Sequence, residues 1–311
     1  MSDYKDENGE SYFVGRANIG AVSLNLPMIW KKSEGKNFYQ DLDYYLEMIR
    51  KFHQRRYEAV ANNVCSTNPL AFTQGGIRGG NKKPDDRVGM DIVKSFTASF
   101  GITSLNELNV LMEGKELHLS DKQAVTRVVK HIEQRVNEFK KADGYLYALY
   151  ATPAESLGGT QLNQFRKKFG VIPKVSDREY FSNGFHCHVT ANITPFEKQD
   201  QEYDLFHSIL GGRIQYTRIE DMRNKNAIKA IVRRGMEMGF YSGVNAPIAT
   251  CEDCGCKPER FSDLDPVCPE CGSSNVTVID RVCGYLGIRS SNKQTRFNDS
   301  KLAEVKDRVS M

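Results

Sequence analysis

The sequence lacks the features of membrane-spanning and secreted proteins. None of its 311 residues belongs to an uninterrupted apolar run of about 18, so a transmembrane helix is excluded. The acidic start, MSDYKDENGE, has no apolar segment like that of a secretory signal peptide, and we expect a cytoplasmic protein with no membrane partner. The net charge of +4 is too weak an excess to argue for nucleic acid by itself, and no repeat of solenoid period is visible.

The composition is that of a folded protein. Hydrophobic residues make up 40% of the chain and charged residues 26%. A length of 311 residues is enough for one large domain or two ordinary ones. Predicted strands and helices follow one another in an order that predicts an α/β architecture with parallel strands. Strands are predicted in the apolar stretch at 19–29, buried on both faces, and at 145–151, and the segment at 179–193 is predicted to be a loop followed by a strand. The helices are predicted at 39–62, 89–100, 120–140 with Ser120 as N-cap, 161–169, 224–238 and 299–310.

The cysteines are concentrated near the end of the chain. Five of the eight fall between positions 251 and 271, and only Cys65 and Cys187 lie far from them. In a chain without a secretion signal, this clustering indicates metal binding in a reducing compartment. Two Cys-x-x-Cys pairs form tight turns that direct their thiolates at one ion, and a glycine follows each pair. The sequence therefore predicts a structural zinc ribbon with four ligands: Cys251, Cys254, Cys268 and Cys271.

Other interpretations of this cluster stay open. The thiols could be buried or reactive without a metal, and an iron centre would use the same ligands. Cys256 competes as a ligand, although its spacing from Cys254 favours a bystander. A four-cysteine site is closed and contributes folding energy rather than catalysis, so the ribbon alone does not define a function.

A glycine-containing motif, RVCGYLG, follows the ribbon at 281–287. One interpretation is a turn glycine beside a strand. The other depends on chemistry that only glycine allows, because a radical at its Cα can flatten without a Cβ clash and delocalise onto both amides. The motif and its ribbon resemble the glycyl radical loop of the anaerobic (class III) ribonucleoside-triphosphate reductases. The resemblance extends to GRANIGAVSLNLP at 15–27, LYATPAESL at 149–157, FGVIPKVSDREYFSNGFHCHV at 169–189 and GFYSGVNAPIATCEDCG at 239–255.

The resemblance implies a fold and its boundaries. The expected architecture is the C-terminal part of a ten-stranded α/β barrel, with the zinc ribbon and a C-terminal glycyl radical loop. Residues 1–12 would be a polar lead-in and 13–250 the barrel part. The ribbon would occupy 251–275, and the radical loop with a closing helix 276–311.

The resemblance also implies radical reduction of ribonucleoside triphosphates. An activating enzyme with an iron–sulfur cluster and S-adenosylmethionine would remove hydrogen from Gly284, with Arg281, Cys283 and Tyr285 supporting the loop. A cysteine thiyl would then remove the 3′ hydrogen of the substrate, the 2′-hydroxyl would leave as water, and formate would supply the reducing equivalents. The protein would position the substrate and exclude side reactions.

Six residues are candidates for substrate binding. Asn18 could bind ribose hydroxyls or act in a turn. Thr152, Glu155 and Ser156 lie in a strand-to-helix turn suited to phosphates, although Glu155 could also be an ordinary helix N-terminal residue. The others, Asn183 and His186, lie in the segment similar to the family's active site, although a lone histidine is more often a core residue.

The family's thiyl cysteine would precede the segment at 15–27, where this chain has no cysteine. We therefore expect the chain to need a second polypeptide that carries the N-terminal half, and the family suggests a homodimer of the full enzyme. Two origins fit: a split gene whose products associate, or a sequence that starts late in its gene. Two alternatives are a zinc-ribbon nucleic-acid-binding protein and a short spare radical-domain protein for a larger glycyl radical enzyme.

Overall fold

The computed structural model describes residues 4–6, 8–219, 223–257, 267–281, 286–291 and 294–309. In these residues the strands are β1 (Asn18–Leu24), β2 (Thr97–Ile102), β3 (Leu146–Ala151), β4 (Gln215–Arg218), β5 (Ser242–Asn245), β6 (Ile248–Cys251), β7 (Val276–Arg281) and β8 (Leu286–Ser290). The helices are α1 (Leu26–Lys32), α2 (Phe38–Asn62), α3 (Pro69–Phe72), α4 (Met90–Val93), α5 (Leu105–Glu113), α6 (Gln123–Asp143), α7 (Leu157–Phe169), α8 (Pro195–Ser208), α9 (Lys225–Glu237) and α10 (Asp299–Asp307). None of the described helices is long and apolar enough to cross a lipid bilayer.

Three parallel strands form the largest core. β2 lies between β1 and β3, and all six of its residues are buried. Helices α2 and α6 pack against this sheet, as expected for crossover helices between parallel strands. The buried stripe predicted for the helix at 120–140 is confirmed in α6: Ala124, Val125, Val128, Val129, Ile132, Val136 and Phe139.

A second parallel pair, β4 and β5, continues from the edge of β3. The N–H of Ala151 donates a hydrogen bond of 2.9 Å to the carbonyl of Gly212, just before β4. The neighbouring Gly211 permits this approach, because a Cβ there would lie 1.9 Å from the carbonyl oxygen of Leu149. The carboxyl end of β3 therefore lies beside the start of the second pair, and the predicted α/β class with parallel strands is confirmed.

The last strands, β6, β7 and β8, form an antiparallel sheet that carries the cysteine cluster. Helix α10 then closes against the segment at 180–189. The Tyr180 hydroxyl donates to Asp307 over 2.9 Å, and the N–H of Val309 donates to the carbonyl of Val189 over 2.9 Å. The end of the chain therefore holds a loop that contains two of the candidate site residues.

The predicted strand at 19–29 is wrong in its end and its burial. β1 stops at Leu24 because Asn25 caps α1, accepting a hydrogen bond from the N–H of Met28, and Pro27 occupies the first turn. β1 is also only half-buried, since it is an edge strand of the described sheet.

Two further predictions fail for reasons of tertiary context. The predicted helix at 89–100 has only one helical turn, α4. Thr97 then begins the central strand, which pairs with β1 on one side and β3 on the other and is buried throughout. No strand occurs at 179–193, all of which is described, because buried carboxylates bind this backbone instead. The helix predicted from Ser120 begins three residues later, and the Ser120 hydroxyl accepts from the N–H of Lys122, the N-cap.

Candidate active site and metal centre

The four predicted zinc ligands come together. The Sγ atoms of Cys251, Cys254, Cys268 and Cys271 all lie within 4.8 Å of one another. The closest pairs are Cys251 with Cys271 at 3.6 Å and Cys254 with Cys268 at 3.5 Å. Four thiolates at such spacing match the donor set that Zn²⁺ prefers in closed structural sites, so the residues fit this metal.

Two short turns produce this geometry. In each, a glycine N–H donates over 2.9 Å to the carbonyl of the first cysteine: Gly255 to Cys251 and Gly272 to Cys268. Both glycines have positive φ, +74° and +70°, a backbone conformation that favours glycine over residues with a Cβ. The backbone N–H of Cys271 helps to lower the pKa of the Cys268 thiol.

Further contacts hold the two turns to each other. Asp253 in the first turn accepts hydrogen bonds from Ser273 and from the Asn275 side chain in the second. Cys256 is not among the four clustered sulfurs, and its backbone carbonyl accepts from the N–H of Cys251 over 2.9 Å. Polar contacts around a metal site orient its ligands, and these hold the ribbon in one arrangement.

The ribbon leads through β7 to the glycine motif. Arg281, the last residue of β7, is the register partner of Leu286, the first residue of β8. The two ends of the segment that contains the predicted radical residue therefore lie side by side. Gly284 itself, with Cys283 and Tyr285, lies outside the described residues.

Arg281 borders a cavity of about 360 Å³ at the carboxyl end of β3. Thr152 and Pro153 line it from the strand-to-helix turn, and His186 lines it from the loop that α10 holds. In open parallel α/β sheets, ligands bind beyond the carboxyl ends of the strands. The structure thus brings three of the residues singled out in the sequence, Thr152, His186 and Arg281, to one cavity.

The turn at the end of β3 is fixed from β1. The hydroxyl oxygens of Ser23 and Thr152 lie 2.6 Å apart, and the N–H of Thr152 donates to the carbonyl of Ile102. Glu155 is half-buried and Ser156, the N-cap of α7, is exposed, with no side-chain capping hydrogen bond. The predicted strand-to-helix turn is confirmed in shape.

A second cavity, of about 100 Å³, lies behind His186. Asn183, His186, Cys187 and Arg281 line it, so His186 and Arg281 border both cavities. Cys187 is 3% exposed, and burial raises the pKa of its thiol to about 12. That burial agrees with a packing role for the thiol.

Glu304 of α10 orders Asn183. The Asn183 amide donates over 3.3 Å to Glu304, which also accepts from Lys301 and, over 2.9 Å, from Arg308. Burial opposes ionisation of Glu304, but the two cations outweigh it and lower its pKa to about 2. The carboxylate is therefore ionised, and it connects the closing helix to the cavity wall.

Glu202 of α8 orients His186 in the same way. It is fully buried and accepts from His186 Nδ1 over 3.2 Å and from the N–H of Cys187 over 3.0 Å. It also pairs with Lys198, and despite burial, Lys198 and His186 lower the pKa of Glu202 to about 2. Sequence reasoning missed Glu202, Lys198 and Glu304, since an acidic residue three or four positions from a lysine is typical of any exposed helix face.

Asn18 lies apart from these residues. It begins β1, and its partner Thr97 is paired in turn with Leu146, the first residue of β3. Thr152 follows the other end of β3, roughly 20 Å further along the chain direction at about 3.3 Å per residue. Asn18 donates to Ser99 Oγ over 2.6 Å and accepts from the N–H of Gly20, contacts that shape the start of the strand.

Known proteins match nearly the whole length of this chain. Residues 2–311 match the family described as anaerobic ribonucleoside-triphosphate reductase. Proteins of that name from Haemophilus influenzae and Escherichia coli are 33% and 32% identical to this chain. Each alignment covers 98% of the chain but only 44% of the relative. In the relative from enterobacteria phage T4, 31% identity extends over 99% of the chain and 51% of that protein.

Solved structures share the fold. A structure entitled anaerobic ribonucleotide reductase superposes over 100% of this chain and 47% of its own, with a TM-score of 0.75 and 19% identity. The Thermotoga maritima enzyme in complex with dATP and CTP superposes over 88% of this chain and 45% of its own, with a TM-score of 0.62 and 20% identity. The chain thus spans about half the length of its relatives. By sequence match over nearly all of its residues, the chain belongs to the anaerobic ribonucleoside-triphosphate reductase family.

Proposed function

We propose that this chain is the C-terminal, glycyl radical-bearing part of a reductase that converts ribonucleoside triphosphates to 2′-deoxyribonucleoside triphosphates. The observation that carries the proposal is the cavity bordered by Thr152, His186 and Arg281, with Arg281 three residues before Gly284. The family match and the nucleotides named for the Thermotoga maritima structure support the substrate class.

Gly284 stores the radical in this proposal, after an activating enzyme with an iron–sulfur cluster and S-adenosylmethionine has removed its α-hydrogen. Arg281 supports the loop from the end of β7, and Cys283 and Tyr285 support it on either side of the glycine. The zinc ribbon, which we assign to Cys251, Cys254, Cys268 and Cys271, supplies no reaction step because all four ligand positions are protein sulfurs. Its role is to hold β6 and β7 together, since Cys251 pairs with Val276 in the two strands.

The substrate would extend from the strand-to-helix turn to the loop that α10 holds. The N-terminus of α7 has no side-chain capping hydrogen bond and offers backbone N–H groups and a positive dipole end to phosphates, with Thr152, Glu155 and Ser156 at its start. Asn183 and His186 would contact the nucleoside. Both are oriented by buried carboxylates, which keeps their polar atoms in fixed positions.

We also propose the partners of this chain. A separate N-terminal polypeptide would supply the thiyl cysteine, formate would act as reductant, and the full enzyme would be a homodimer. The barrel part would extend over 13–250 after a polar lead-in at 1–12, the ribbon over 251–275 and the radical loop with its closing helix over 276–311. The hydrogen bond from Ala151 in β3 to Gly212 before β4 joins the edges of the two parallel groups of strands. This contact supports a closed arrangement of strands, which in the full enzyme would be a ten-stranded barrel.

The test is reconstitution without oxygen. The activated chain, mixed with the N-terminal polypeptide, a ribonucleoside triphosphate and formate, is expected to form the deoxynucleotide. The Gly284→Ala chain serves as the matched control and is expected to form none. Turnover by the chain without the second polypeptide would contradict the need for a partner, and equal turnover by the control would contradict the role of Gly284.

A further inference from the structure

Arg281 differs from the other cations that line the smaller cavity. Lys198 pairs with Glu202, Arg308 pairs with Glu304, and Arg218 has an interaction partner of its own. Among the described residues, Arg281 has no carboxylate within ion-pair distance. Its adjacent acidic residue, Asp280, faces Arg289 at 3.4 Å and Arg308 at 3.7 Å instead.

Among the residues that the structure describes, the guanidinium of Arg281 makes two contacts. Nη1 donates one long hydrogen bond of 3.4 Å to Asn245, and the guanidinium lies 5.2 Å from the ring centroid of Tyr216. Its Nε is buried and has no hydrogen-bond partner among the described residues. A guanidinium presents five donors in a planar fork, and a buried donor without an acceptor is unfavourable.

The backbone beside Arg281 accommodates the guanidinium closely. A Cβ at Gly243 in β5 would lie 2.8 Å from Arg281 Nη1, so the glycine makes room for the group where two cavities meet. The ring of Tyr216 occupies one side of the guanidinium, and the planar fork is suited to two oxygens of an anion.

We propose that Arg281 is the centre of an oxyanion-binding site, at which a carboxylate or phosphate group accepts hydrogen bonds from its guanidinium. Asn245 and Tyr216 position the guanidinium, and His186 borders the same space. A carboxylate and a phosphate share this chemistry. The choice of these two anions as ligands rests on the proposed function. The position and charge of the site are inferred from the contacts of Arg281 alone.

An equilibrium binding experiment, which needs no catalytic turnover, tests this site. The purified full chain is titrated with ¹³C-formate, followed by NMR line broadening, and separately with inorganic phosphate, both at constant ionic strength. We expect saturable binding that weakens at least about tenfold in Arg281→Gln, because the variant loses the charged donors that an oxyanion would accept from. Displacement of formate by phosphate would identify a phosphate subsite, and retention of formate a carboxylate subsite.

A second variant keeps the charge but moves it. Gly243→Ala should push the flexible guanidinium aside and also weaken binding, whereas Arg234→Gln, which removes a surface partner of Asp200, should leave binding unchanged. The site is contradicted if neither anion binds saturably, or if folded Arg281→Gln or Gly243→Ala binds as the wild type does. Neither result depends on radical formation or the second polypeptide, so failure here differs from failure of the reductase proposal.

Discussion

The hydroxyls of Ser23 and Thr152 meet at 2.6 Å across the central strand, above Gly101. A Cβ at Gly101 would lie 2.1 Å from Ser23 Oγ and 2.4 Å from Thr152 Oγ1, so this position in β2 has to be glycine for the contact to form. The contact joins the carboxyl ends of β1 and β3 and fixes the start of the turn that lines the larger cavity.

Gly101→Ala is therefore expected to destabilise the chain by about 1–3 kcal/mol, because an added methyl group overfills a packed site. Urea unfolding followed by circular dichroism measures the change. The matched variant is Ser23→Ala, which removes the nearest obstacle. The double variant should regain part of the loss, and strict additivity of the two effects would contradict the proposed crowding.

Replacement of Glu304 by glutamine should be strongly destabilising, because it removes the buried negative charge that Lys301 and Arg308 share. Breaking a buried ion pair in this way costs about 3–5 kcal/mol. The expected loss is seen as a lower thermal midpoint at pH 7, while Glu237→Gln on the exposed face of α9 should change little. An equal effect of the two substitutions would contradict a structural role for the Glu304 network.

The same carboxylate predicts a pH dependence. Its pKa is lowered from 4.5 in the unfolded chain to about 2 in the folded chain, so its stabilisation is complete above the unfolded value. It is lost as the pH falls from about 4.5 towards about 2. Thermal midpoints of the wild type and Glu304→Gln should therefore converge over this range.

Glu107 in α5 predicts the opposite trend. Burial raises its pKa to about 7, although it accepts hydrogen bonds from the N–H of Ser182 over 3.1 Å and from its hydroxyl over 2.6 Å. A carboxyl with a raised folded pKa favours the folded state at low pH, and this advantage is lost as the pH rises from 4.5 through about 7. Glu107→Gln should thus be more stable than the wild type at pH 8 but not at pH 5.

Thermal midpoints across that pH range test the Glu107 prediction. Glu113→Gln is the control, since Glu113 is exposed on the same helix. If Glu107→Gln and the wild type keep a constant difference from pH 5 to pH 8, Glu107 does not titrate in this range.

Metal analysis tests the ribbon. The purified chain should contain about one zinc per molecule, and Cys251→Ser should lose it, because a structural site needs all four of its thiolates. Cys256→Ser is the matched control in the same turn and should keep the zinc. Loss of zinc from the control, or retention by Cys251→Ser, would contradict the assigned ligand set.

Local patterns were sufficient to predict the cluster of four cysteines and the long helices. The cysteine spacing and the glycines after each pair determine the turns, and the apolar stripe from Ala124 to Phe139 determines the buried face of α6. The family resemblance, which depended on several separated motifs, is confirmed by the sequence match over residues 2–311.

Long-range contacts could not be predicted in the same way. The segment at 179–193 has the composition of a strand, but Glu107 and Glu202, from helices distant in sequence, bind its backbone. The second half of the helix predicted at 89–100 forms β2 instead, because Thr97–Ile102 pairs with a strand on each side. The orienting carboxylates, Glu202 and Glu304, have no distinctive sequence pattern, and only the fold shows that they are buried.

The central claim is that Gly284 carries a radical, and electron paramagnetic resonance tests it most directly. After anaerobic activation by the iron–sulfur activating enzyme with the N-terminal polypeptide present, we expect a doublet from the single α-hydrogen of Gly284. The doublet should collapse when glycine is deuterated at Cα, it should be absent in Gly284→Ala, and air should cleave the backbone at residue 284. A chain that gives no glycyl doublet with any competent activating enzyme, or the same signal in Gly284→Ala, would contradict the account.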